Sequence, residues 1–94
     1  MPEVLLKSKE DVIPLIKSAF NLEIKTIETG IERTVNKLTE FERKYGMRSE
    51  DFYQKAENGK LEDSLEYIEW AGEVETLNRL KDDLFGLKGI EICT

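Results

Sequence analysis

Histidine is absent from this 94-residue chain, and cysteine occurs once, at Cys93, one residue from the end. Without histidine, neither a Ser-His-Asp triad nor a Cys-His pair can be built, because each needs an imidazole to take the nucleophile's proton. A lone cysteine excludes an intrachain disulfide, and a Cys/His zinc site is excluded with it. Cys93 has Glu91 nearby and no local cation. A carboxylate neighbour disfavours the thiolate, so Cys93 reads as packed or incidental. No Asp-rich loop of EF-hand spacing is present, and no glycine-rich loop opens a helix to cradle a phosphate. No cofactor or metal is therefore expected. Long apolar runs are also missing, the longest being of the kind of Val4-Leu5-Leu6. That argues against a membrane span or a signal peptide and places the protein in the cytoplasm. Basic charge is in deficit: 14 Lys and Arg stand against 20 Asp and Glu, a net charge of −6. A phosphate-backbone binder needs a basic patch, so direct nucleic-acid binding is not expected. A basic protein partner suits this charge, as does plain solubility.

What is present is helical periodicity. Ile24, Ile31, Leu38 and Tyr45 fall seven apart, and Ile27, Thr34 and Phe41 form a second row. Together they alternate in steps of three and four, the seam of a coiled-coil-like helix. Gly46 follows as a natural C′ residue, with Arg43 and Lys44 in the last turn, where cations suit the helix dipole. Asp11 is placed to cap this helix with Pro14 in its first turn, which gives one unbroken helix from about Val12 to Tyr45; a break near Asn21 is the alternative. A short second helix is expected over Met47 to Asn58, N-capped by Ser49 and closed by Asn58-Gly59. The third helix runs from Asp63 or Ser64 to Lys88, with Tyr67, Trp70, Val74, Leu77, Lys81 and Leu84 again in steps of three and four. Leu80 and Leu87 widen the stripe, Gly89 reads as the terminator, and Gly72 and Gly86 as sites of close packing or fraying.

One short helix between two long ones forces the long ones antiparallel. The rows then match, placing Ile24 by Leu84, Ile31 by Leu77, Leu38 by Trp70 and Phe41 by Tyr67. The fold class is all-α: a single domain over residues 1–94, an antiparallel hairpin with a short connecting helix. Both termini meet at the open end, where Val4-Leu5-Leu6 and Ile90-Glu91-Ile92 are placed to pair as a small two-stranded ribbon.

Two groups of residues are candidates for function. Phe41, Tyr45, Phe52, Tyr53, Tyr67 and Trp70 should gather at the turn end, either as a local core or as anchors for a partner. Val35, Ile68, Leu80, Phe85 and Leu87 exceed what a two-helix seam can bury. They should face either a second copy, giving a four-helix bundle as a dimer, or a different protein. The carboxylates Glu66, Glu69 and Glu73, with Glu28 and Glu32, read as solvated faces, since di-metal bundle sites need Glu-x-x-His motifs that are absent here.

The segments Phe41-Glu42-Arg43-Lys44-Tyr45-Gly46-Met47, Ser49-Glu50-Asp51-Phe52-Tyr53 and Glu69-Trp70-Ala71-Gly72-Glu73, with Gly30-Ile31 upstream, carry a family resemblance. Over roughly Gly30 to Leu87 the chain resembles small helical prokaryotic antitoxins paired with TumE-like toxins. The region Val4 to Asn21 lies outside the match. The resemblance implies a non-catalytic protein that masks a toxin by direct binding, with Tyr45, Phe52 and Trp70 shaping the turn end. The alternative from another class is a structural or scaffolding helical homo-oligomer.

Overall fold

The computed structural model describes the backbone of residues 9–93 and the side-chain surroundings of residues 12–90. It holds three helices among the described residues: α1 over Lys9–Tyr45, α2 over Ser49–Glu57 and α3 over Leu65–Cys93. Among the described residues there is no strand. α1 packs along α3 and α2 lies against both. At 37 residues α1 spans about 55 Å, which accounts for most of the 59 Å long axis of the molecule.

α1 is unbroken through Asn21, as expected, but it begins three residues earlier than the sequence suggests. Asp11 therefore lies inside the helix and Pro14 in its second turn. There the missing N–H removes one intrahelical bond, to the carbonyl of residue 10. Gly46 ends α1 with φ +62°, and the Gly46 and Met47 N–H groups both donate to the Glu42 carbonyl, at 2.8 and 3.3 Å. A residue with a Cβ resists this left-handed turn, which is why glycine stands there. Gly59, at φ +67°, closes α2 in the same way: it donates to the Ala56 carbonyl while Lys60 donates to that of Lys55, the paired bonds of a Schellman motif. Ser64 caps α3, its Oγ accepting from the Tyr67 N–H at 3.0 Å.

Two expectations are corrected. Ser49 is not the N-cap of α2. Arg48 occupies that position without a side-chain cap bond, and the orphan N–H of Ser49 donates to the Glu42 carboxylate at 2.8 Å. Glu42 thus ties the end of α1 to the start of α2 with its carbonyl and its side chain together. The ribbon also fails. Ile90-Glu91-Ile92 is helical, because α3 continues through Gly86 and Gly89 to Cys93. Neither glycine has positive φ, and extending a formed helix gains a hydrogen bond per residue, whereas a lone three-residue strand has none to gain. Val4-Leu5-Leu6 lies outside the described residues.

The antiparallel register shows in three contacts. Gly30 meets Leu80, Lys37 pairs with Glu73 at 3.5 Å, and Lys44 pairs with Glu66 at 2.6 Å. Each seven-residue advance along α1 is a seven-residue retreat along α3. The seam on α1 is the expected one, with Ile24, Ile27, Thr34 and Leu38 buried. Ile31 and Leu77, expected as buried neighbours, are only half-buried. Two helices shield one narrow stripe, and among the described residues a third layer exists only where α2 lies. Carried to the end of α3, this register leaves the first turns of α1 overhanging. Ile13 and Ile16 are exposed there although they continue the seam.

Candidate interaction surface

The closed end of the hairpin is built around Trp70, which is fully buried. Phe52 of α2 lies flat on it, with ring centroids 3.8 Å apart and planes 4° from parallel. Phe41 and Tyr45 of α1 stack on it as well, each at 5.5 Å. Tyr67 closes the group at 5.3 Å from Tyr45 and 5.5 Å from Phe52. The indole N–H donates to Ser49 Oγ at 2.9 Å in this buried setting. Ser49 therefore satisfies the one polar atom of Trp70, a role that local capping rules do not reveal. Leu38 and half-buried Met47, Ala56 and Leu61 complete the packing. Of the aromatic candidates, Phe52 and Trp70 are core; Phe41, Tyr45, Tyr53 and Tyr67 keep an exposed edge.

Outside this core the charges form a frame. Glu66 accepts from Lys44 Nζ at 2.6 and 2.8 Å and from the Tyr45 hydroxyl. The bonds from Lys44 and then Tyr45 hold the Glu66 carboxyl below its ordinary range. The same bonds raise the Lys44 ammonium and the Tyr45 phenol above theirs. Tyr53 donates to Glu75 at 2.9 Å, which raises its phenol too. Glu28 pairs with Lys88 at 3.7 Å. Three of the five carboxylates singled out in the sequence, Glu28, Glu66 and Glu73, thus face lysines.

The apolar candidates do not form one stripe. Val35 is partly exposed and lines a groove of about 400 Å³ with Leu38, Val74 and Leu77, bounded at one end by Tyr53 and Gln54 of α2. Phe85 is 83% exposed, one turn beyond Lys81, which also lines that groove. Ile68 precedes Trp70 by two positions, just over half a turn of helix, so it points away from the hairpin and is exposed. Leu80 and Leu87 are half-buried flanks of the seam. A Cβ at Gly30 would meet a Leu80 methyl at 3.3 Å. Gly30 is thus the glycine that permits close packing, while Gly72 and Gly86 face open space. Leu15, Leu22, Leu65 and Ile90, with Ile13 and Ile16, are exposed residues the sequence reading missed. The signal for Ile13 and Ile16 was present in their three-and-four spacing with Phe20 and Ile24. Whether the hairpin covers them depends on how α3 is placed along α1, which their spacing alone does not give.

No described helix is long and apolar enough to cross a membrane. Comparison with protein-family models, with curated proteins and with solved structures gave no match.

Proposed function

We propose that this chain is a non-catalytic protein-interaction module, antitoxin-like, that neutralises a basic protein partner by direct binding in the cytoplasm. The observation that carries it is the distribution of apolar side chains. Among the described residues nine large ones are exposed, including Leu65, Ile68 and Phe85, against five buried. A rod that leaves this many large apolar side chains at its surface is suited to cover, or be covered by, another protein. The net charge of −6 favours a basic partner and disfavours a phosphate backbone. The antitoxin resemblance over Gly30 to Leu87 adds the sense of that binding, which is masking.

In this reading apolar anchors set the residence time, while exposed acids steer the encounter and lose force with salt. Glu69 is the better steering residue to test, since it is exposed, whereas Glu66 is tied to Lys44 and Tyr45. The test is to express the adjacent gene with and without this one. Growth arrest by the neighbour alone, relief on co-expression and a co-purifying complex support the reading. A harmless neighbour and no complex sink it and leave a scaffolding homo-oligomer, which the large uncovered surface of the chain favours.

A further inference from the structure

The chain exposes 7671 Å². A compact folded monomer of its 10.9 kDa exposes roughly 5,600 Å². Its radius of gyration is 19.4 Å, where a compact chain of this length has about 12 Å. The surplus, on the order of 2,000 Å², is the scale one subunit loses in an obligate dimer, roughly 1,000–2,500 Å² per partner. A single transient contact is too small to remove it.

The free face also carries matching shapes. α2 crosses one end of the groove lined by Val35, Leu38, Val74 and Leu77 and stops there. Beyond it, Phe85 projects from α3 almost wholly exposed. Leu77, Lys81 and Phe85 are each four apart, so the hole and the projection share a side of α3, about 12 Å apart along its axis. A two-fold axis across the helices near Lys81 carries each Phe85 into the other chain's groove. Residue i then meets j and j meets i, as an isologous interface requires. The two α2 helices fall at opposite ends and do not collide. The two Lys81 side chains, which line the groove, come near the axis.

We infer that the apolar groove beside α2 receives Phe85 of a second copy of this chain, and that reciprocal insertion makes a dimer with four long helices at its core. This rests on the reading of the chain as an interaction module and names its first partner as itself. The test uses the full chain with Cys93→Ser. Sedimentation velocity at tens of micromolar should give about twice the 10.9 kDa chain mass. Phe85→Glu should halve that mass with the helical circular dichroism unchanged, because the side chain lies outside the protomer's own core. Mixing a Phe85→Cys chain with an Asn78→Cys chain should give a disulfide-linked heteropair on mild oxidation, since Asn78 lines the groove. A wild type that stays monomeric overturns the inference. A dimer that survives Phe85→Glu and yields no heteropair overturns this groove as the interface. Either result leaves the masking of a protein partner to stand or fall on its own co-expression test.

Discussion

Truncating Phe52 to alanine should release α2 from the hairpin. Phe52 is 1% exposed and makes the closest ring contact in the molecule, 3.8 Å to Trp70, with a second at 5.5 Å to Tyr67. Removing a buried phenylalanine costs about 3–5 kcal/mol, and a lost aromatic pair adds about 0.5–1.5 kcal/mol. What then holds α2 is the Trp70–Ser49 bond, the Glu42 cap and the exposed Tyr53–Glu75 bond. Each is worth about 0.5–1.5 kcal/mol net, and an isolated nine-residue helix does not persist in water. Loss of about 4 kcal/mol should speed amide exchange across Phe52 to Lys60 roughly a thousandfold. The single tryptophan reports the same event, because fully buried Trp70 becomes wetted and its emission shifts to the red. Exchange followed by mass spectrometry, with fluorescence in parallel, checks both. A Phe52→Ala protein with unshifted emission and less than about 1 kcal/mol of destabilisation would falsify this account of the closed end.

Alanine at Gly72 or Gly86 should stabilise the protein by about 0.5–1 kcal/mol each, since an added Cβ meets nothing there. Gly30→Ala should gain less or lose, because of the Leu80 methyl at 3.3 Å, and Gly46→Ala should lose about 1–2 kcal/mol to left-handed strain; thermal melts give the order. Leu80→Glu should weaken the hairpin itself by chemical denaturation, since Leu80 packs on Gly30. Glu66→Gln should move the Tyr45 phenol back down toward its ordinary value, read by spectrophotometric titration. The pH signs follow from the directions of the shifts. The Glu66 contribution is present above the usual carboxylate range and is lost as pH falls through its lowered value. Those of Lys44 and Tyr45 are present at neutral pH and are lost as pH rises through their raised values. The effect of all three should be small and should shrink with salt, since the groups are exposed.

Local physics was legible in the residues by themselves. The three-and-four spacing of Ile24 to Tyr45 and of Tyr67 to Leu84 identified two long helices, because the helical period is set by the backbone alone. Gly46 and Asn58-Gly59 marked real ends, and Ser64 was one of the two residues offered for the start of α3, because each satisfies orphan backbone groups within a few residues. The single short connection dictated that the long helices run antiparallel. The tertiary structure decided what depends on distant atoms. Ser49 has the composition of a cap but serves Trp70, and Glu42 caps α2 from another helix. Gly89 looked like a stop, yet a glycine ends a helix only where the chain turns left-handed, and nothing there requires that turn. Which of the six glycines admits a close neighbour depended on which face α3 presents to α1, and the answer was Gly30. Ile13 and Phe85 show the same limit from the other side. Their apolar character is visible in sequence, but their exposure depends on how α3 and α2 lie against α1.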